Sequence, residues 1–347
     1  MTTLYSHKTC VVIGAGSFGT ALASVVANNF EKVILFTNEK EAWNNIQTKH
    51  ENSFYFPGKL LASNIDVAMS WEEVDEKKVG QVELLIFGLP STAILGFLYE
   101  NYDRLQSYLE NKVPVVSLAK GIDPITLELP DELFLSFFHD YSELFTFLSG
   151  PSFASEILDK HITAVSLAGH SNQILQKVCS MLDTNYFKTL ASYDIKGVLL
   201  GGALKNVLAI GGGIIEGLGF QNNTRAAMIT RGITEMLRFG KIFNARSETF
   251  YGLSGMGDLI LTTTGELSRN KRLGLELAKG RKAGQIIAEM KTAVEGYKTA
   301  KAAHSLIEKH GIRASIFSGV YEVLYEDILP QDVLGRLMST QTRFEID

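Results

Sequence analysis

The chain of 347 residues has only two cysteines, Cys10 and Cys179. They make no C-x-x-C pair and no metal-ligand spacing, which excludes a disulfide-stapled fold and a cysteine-held zinc site. Both stand in apolar surroundings and are expected to be buried free thiols, which points to reducing conditions and hence the cytoplasm. Basic charge is also in short supply. Lys and Arg number 33 against 38 Asp and Glu, for a net charge of −5. This excludes a nucleic-acid binder that relies on a basic surface, and any anionic ligand must be held by local cations. The opening MTTLYSHKTC lacks the apolar core of a secretory signal. Internal repeats, low-complexity segments, long linkers and any His-based catalytic or metal arrangement are lacking as well.

What is present is the composition of a globular protein, 46% hydrophobic and 20% charged. At roughly 100–200 residues per domain, two domains are expected. Apolar runs at 9–13, 32–36, 82–87, 113–117, 144–148 and 163–167 are bounded by glycine, proline, serine or charge. Helical patterns such as 19–28 and 172–182 lie between them. Continuous apolar runs suit strands buried on both faces, and the alternation is that of βαβ units in a doubly wound sheet. Beyond Tyr193 only helical periodicity remains, over 195–217, 224–243, 269–279, 283–290, 295–309 and 316–326. The expected fold is an α/β Rossmann-type N-terminal domain with a mostly parallel sheet, residues 1–192. An all-α C-terminal domain follows, residues 193–347. The apolar stretch Val198–Ile215 is long enough to cross a membrane, but Lys205 at its centre would be costly in lipid, so no stable membrane insertion is expected.

The first apolar run leads into GAGSFGTALA, where Gly14, Gly16 and Gly19 form G-x-G-x-x-G between a strand and a helix. The first glycine permits a tight turn, the second a close approach of backbone to a pyrophosphate, and the third close helix–strand packing. A dinucleotide is therefore the expected ligand, on the free N–H groups of a helix start. The second run ends at Thr37, Asn38 and Glu39. An acidic residue there suits the ribose hydroxyls of NAD, whereas an arginine suits the 2′-phosphate of NADP. No arginine stands there, although Lys40 is close, so NAD is favoured over NADP; Glu39 also fits a plain solvated helix start. Lys120, in SLAKGI just after the fourth run, occupies a strand end of the kind that lines a cofactor crevice.

Four further features bear on chemistry. Ser152 in SGPSFASEI could cap a helix and expose backbone N–H groups to an anion. Ser268 is an expected N-cap, and Arg269, Lys271 and Arg272 behind it oppose the helix dipole unless a phosphate sits there. Asp258 is a lone acid in a glycine-rich apolar context and a candidate partner for a lysine. Lys205 stands mid-helix, with Gly201, Gly202, Leu208 and Ala209 as its nearest turn neighbours and Gly212 one turn beyond. This small-residue face leaves room for a ligand, a cofactor ring or another backbone. Burial disfavours the charged amine, which suits a general base; an ion-paired structural lysine is the alternative. Alcohol oxidation by a nicotinamide needs such a base, with Asn206, Lys120 and Asp258 as plausible company.

Taken in order, GAGSFGTALA, NSFYFPG, SLAKGI, SGPSFASE, GALKNVLAIGGGI, GLSGMGDLILT, SRNKRLG and VEGYKTAKA resemble the bacterial-type NAD(P)-dependent glycerol-3-phosphate dehydrogenases over nearly the whole chain. The resemblance implies reversible conversion of dihydroxyacetone phosphate and sn-glycerol 3-phosphate, feeding phospholipid synthesis, by a cytoplasmic homodimer. It implies Lys205 as proton acceptor in the oxidising direction. It places Lys120, Gly150, Ser152, Lys205, Asp258, Ser268, Arg269 and Asn270 around the substrate. Ser17, Phe18, Lys120, Ala154, Arg269, Ala293 and Glu295 match cofactor contacts, beside Gly14, Gly16 and Gly19. Asn38 falls at a cofactor position where the family commonly has arginine, which weakens any preference for NADP. Two alternatives stand beside this reading: a related 3-hydroxyacid dehydrogenase with a carboxylate substrate, and a non-catalytic dinucleotide sensor.

Overall fold

A computed structural model describes residues 5–290 and 294–339. The chain divides into two compact units, Met1–Lys120 with Glu128–Leu199, and Gly121–Leu127 with Leu200–Asp347. The change of unit thus falls inside the helix Ile195–Gly217, past the expected 192/193 boundary.

The first unit is built on eight strands: β1 (Tyr5–Ile13), β2 (Phe30–Phe36), β3 (Ile65–Ala68), β4 (Gln81–Phe87), β5 (Val115–Ser117), β6 (Phe145–Ser149), β7 (Thr163–Gly169) and β8 (Phe187–Ser192). They form one sheet in the order β3-β2-β1-β4-β5-β6-β7-β8. All neighbours from β3 to β6 are parallel; β7 runs antiparallel to β6, and β8 parallel to β7. The central strands are apolar because helices cover both faces of the sheet, and Cys10–Ile13, Val33–Leu35 and Leu84–Ile86 are wholly buried. The chain leaves β1 toward β2 on one side and returns to β4 on the other. The strand order therefore reverses at β1, the place where open α/β sheets bind ligands.

Two strands departed from the expectation. β3 is four residues long and carries Asp66, so no apolar run marks it. β8 alternates buried and exposed residues at the sheet edge and reads as polar. Both cysteines are free, but only Cys10 is fully buried; Cys179 is half-buried.

The second unit contains no strand among the described residues. Its centre is the helix Ile195–Gly217, opened by Asp194, whose Oδ1 accepts the Gly197 N–H at 3.0 Å. Every residue of its most apolar 18-residue window is buried inside the protein, as in a core helix. Around it lie the helices Asn222–Ile242, Asp258–Thr264, Arg269–Ala278, Ala283–Glu289, Glu295–His310, Ser315–Tyr325 and Pro330–Met338. The buried Glu235 carboxylate caps Ser315–Tyr325, accepting from the Ser315 hydroxyl and from the N–H groups of Ile316 and Phe317. Burial pushes this carboxyl above the usual range.

The glycines of the central helix serve close packing. A Cβ on Gly213 would lie 2.0 Å from the Lys271 carbonyl oxygen, and one on Gly201 would lie 2.6 Å from that of Ser254. At Gly201, on the small-residue face beside Lys205, it is another backbone that fills the space, one of the three occupants the spacing allowed. Gly213→Ala must therefore force two helices apart, and overpacking of this kind costs about 1–3 kcal/mol or more. Urea denaturation is expected to show this loss. Gly284→Ala, in a helix where an added Cβ meets nothing within 4 Å, gains up to about 1 kcal/mol by the same measurement.

Candidate active site

The glycine turn has a separate physical reason for each glycine. Gly14 has φ +107°, and a Cβ there would lie 2.9 Å from the Gly88 carbonyl oxygen. Gly19 packs on the turn itself, its added Cβ falling 2.1 Å from the Gly14 oxygen. Gly16 differs: nothing lies within 4 Å of an added Cβ. It is also the N-cap of the helix Ser17–Val26, with no side-chain cap, so the first N–H groups of that helix adjoin open space. An open cradle of backbone donors fits an anionic diphosphate. At the end of β2, the buried Thr37 accepts the Glu39 N–H on its hydroxyl at 3.1 Å, whereas Asn38, Glu39 and Lys40 are exposed.

Lys120 follows β5 and reaches two neighbours in the same unit. Its Nζ donates to the Gly150 carbonyl at 3.1 Å and stands 5.4 Å from the centre of the Phe18 ring. The Ser152 hydroxyl donates to the same Gly150 oxygen at 2.8 Å. Ser152 therefore does not cap the short helix Ala154–Leu158, whose N-cap is Phe153. Gly150, Ser152, Lys120 and Phe18 are thus linked beside the glycine turn, and Ala154 packs, like Phe18, on the buried core of this unit.

In the second unit Lys205 is 7% exposed. Its Nζ donates to Asp258 Oδ1 at 2.7 Å and to Thr262 Oγ1 at 2.8 Å. Asp258 is 1% exposed, sits in the first turn of the helix Asp258–Thr264 and precedes Thr262 by one turn, so both present to the same lysine. Thr262 donates in turn to the Asp258 backbone carbonyl at 2.6 Å. An isolated ammonium at this depth would be driven neutral; the carboxylate opposes that by favouring the charged form. The result is a buried N–H donor with its counter-charge in place.

At the next residue, Asn206, a second polar network forms. Asn270 donates to Asn206 Oδ1 at 2.9 Å and accepts the Gly296 N–H at 3.1 Å. Asn206 donates to the Gly202 carbonyl at 3.3 Å and to Glu295 at 3.5 Å. Ser268 caps Arg269–Ala278, accepting the Lys271 N–H at 3.2 Å, and Arg269 is exposed at the head of that helix. Lys271 does not join Arg269 at the surface. It is buried, with Nζ on the Thr264 carbonyl and on Glu216, both at 3.1 Å. Glu216 also holds Arg225 at 2.7 Å. Its cation thus belongs to a structural pair, and the charge of the first turn is left to Arg269 and Arg272. Ala293 lies outside the described residues.

Comparison with known proteins gives the arrangement a family. The model for the NAD-dependent glycerol-3-phosphate dehydrogenase N-terminus matches residues 9–175, and that for the C-terminus matches 194–335. A glycerol-3-phosphate dehydrogenase, NAD(P)+, of Solidesulfovibrio magneticus is 40% identical over 334 residues, 96% of this chain and 99% of that one. Its namesake in Myxococcus xanthus is 41% identical over 339 residues, 96% and 98% of the two chains. The chain belongs to the NAD-dependent glycerol-3-phosphate dehydrogenase family. The crystal structure of a glycerol-3-phosphate dehydrogenase from Coxiella burnetii superposes with a TM-score of 0.85 at 31% identity, covering 96% of this chain and 99% of that one.

Thr262 is the neighbour of Lys205 that the sequence reading passed over. Its only signal is its place four residues after Asp258, among three consecutive threonines. Because Asp258 is the counter-charge of a buried lysine, Asp258→Asn leaves that charge uncompensated. Breaking one side of a buried pair costs about 3–5 kcal/mol, and denaturant titration is expected to show a loss in this range. A loss under about 1 kcal/mol, the worth of an exposed pair, would contradict the geometry.

Proposed function

We propose that the protein catalyses the reversible, NAD(P)-dependent interconversion of dihydroxyacetone phosphate and sn-glycerol 3-phosphate, supplying glycerol 3-phosphate for phospholipid synthesis as a cytoplasmic homodimer. The observation that carries the reading is the buried Lys205–Asp258–Thr262 group, an N–H donor with its counter-charge held beside it. When bound, the nicotinamide supplies or accepts the hydride. This chain's part is to move the proton and hold the substrate. In the reducing direction Lys205 Nζ gives a proton to the ketone oxygen; in the oxidising direction the neutral amine takes it from the hydroxyl. Asp258 and Thr262 hold the amine in place through both states.

Phosphate recognition is assigned to Arg269, whose planar fork suits a phosphate, with Ser268 and Asn270 beside it on the same helix start. Lys120, Gly150 and Ser152 are assigned to the substrate from the first unit. The dinucleotide is assigned to Gly14, Gly16, Ser17, Phe18 and Gly19, with Asn38, Lys120, Ala154, Arg269 and Glu295 as further contacts. NADH is the expected cofactor. Thr37 is turned inward onto the Glu39 N–H, and the exposed Asn38 has no charge with which to hold a 2′-phosphate.

The test is oxidation of NADH on addition of dihydroxyacetone phosphate. Turnover is expected with this substrate and not with 3-oxo carboxylates, and kcat/KM is expected to be about tenfold or more higher with NADH than with NADPH, the factor for one lost charge contact of about 1.4 kcal/mol. Folded protein that shows no turnover at millimolar dihydroxyacetone phosphate would overturn the proposal.

A further inference from the structure

Asn52 opens the segment NSFYFPG, far from the glycine turn in sequence, yet its side chain ends inside that turn. It is wholly buried. Its Nδ2 donates to the Ala15 carbonyl at 2.8 Å and to Thr20 Oγ1 at 2.9 Å. Thr20 Oγ1 also donates to the Ala15 oxygen, at 3.3 Å. Asn52 is itself held, because its backbone carbonyl accepts the N–H groups of Tyr55 at 3.1 Å and Phe56 at 2.9 Å. The amide orientation follows from the partners: a carbonyl turned toward Ala15 would set acceptor against acceptor.

These bonds have a consequence at the neighbouring residue. The described peptide bonds are all trans. In a trans peptide the C=O and the following N–H point to opposite sides. Pinning the Ala15 oxygen inward, onto two fully buried side chains, therefore turns the Gly16 N–H away from them, at a residue where an added Cβ would meet nothing within 4 Å. If the peptide flipped, a carbonyl oxygen would face that space instead, and a carbonyl repels an anion. The cost of the arrangement is visible as well. Asn52 Oδ1 is buried with no hydrogen-bond partner, which lowers stability.

We propose that Asn52 is a positioning residue for dinucleotide binding: by holding the Ala15 carbonyl inward, it presents the Gly16 N–H to the pyrophosphate of the cofactor. The proposal rests on the reading of the glycine turn as the dinucleotide site. Its variants are Asn52→Leu, which keeps the branching pattern and removes the donors, and Asn52→Ala, which leaves space for a water to bond the Ala15 oxygen.

Calorimetric titration of NADH into the full-length protein reads the effect directly. Asn52→Leu is expected to weaken NADH binding by about tenfold or more, and Asn52→Ala by about threefold or more, the range of a lost buried hydrogen bond. At saturating NADH, kcat and the KM for dihydroxyacetone phosphate are expected to stay within about twofold of wild type. A role in folding alone would lower the unfolding midpoint and leave NADH affinity unchanged. The proposal is overturned if folded Asn52→Leu binds NADH within about twofold of wild type. Should that variant not fold, the same result for Asn52→Ala overturns it. Wild-type protein that fails to bind NADH would instead overturn the reading of the glycine turn, and the proposal with it.

Discussion

A charged amine in the middle of a buried helix must have a partner, and much of the second unit is arranged to give Lys205 one. The helix Asp258–Thr264 supplies both neighbours from a single face, a carboxylate and a hydroxyl one turn apart. Close helix packing makes this possible. Gly201 lets the Ser254 backbone approach the central helix just before Asp258, and Gly213 lets the Arg269–Ala278 helix approach it further along. The second approach sets Asn270 against Asn206, the residue next to Lys205. Six glycines between 201 and 217 weaken an isolated helix, but at Gly201 and Gly213 neighbouring backbones come nearer than any side chain would allow.

The first unit solves a different problem, the exposure of backbone donors at a helix start. Gly14 and Gly19 are fixed by packing, whereas Gly16 is left open. The two units thus contribute unlike chemistry, backbone N–H groups for an anion in one and a buried proton donor in the other. The family to which the chain belongs combines a dinucleotide with a phosphorylated three-carbon substrate, and both need anion contacts in a protein whose net charge is −5. Local donors, not overall charge, meet that need.

The sequence made much of this legible, and the reasons are physical. Strands buried on both faces read as apolar runs, so β1, β2, β4, β5, β6 and β7 were visible. β3 and β8 lie at the two edges, where a charge or an alternating pattern removes the signal. The glycine turn was legible because Gly14 and Gly19 are required by packing and Gly16 keeps the turn open. A lone lysine and a lone aspartate in apolar stretches were legible as partners because neither can be buried alone. The glycines around Lys205 were harder: the spacing of small residues does not say whether a ligand or another backbone fills the gap. The role of Ser152 was equally open, since a serine before a helix can cap it or bond the preceding carbonyl, and here it bonds Gly150. Lys271 looked like part of an anion site, because nothing local ties it to Glu216, a partner more than fifty residues away. Thr262 is marked only by its place four residues after Asp258, and Asn52 stands in NSFYFPG, a segment whose sequence does not show where its side chain ends.

The central claim is that Lys205 moves the proton while other residues bind the cofactor. The most direct measurement is the turnover number of Lys205→Met in the reduction of dihydroxyacetone phosphate, taken with its NADH dissociation constant. The account predicts a fall in kcat of about 10²–10⁴, the usual contribution of a positioned general acid, with NADH binding retained. A folded Lys205→Met enzyme with kcat close to wild type would contradict it.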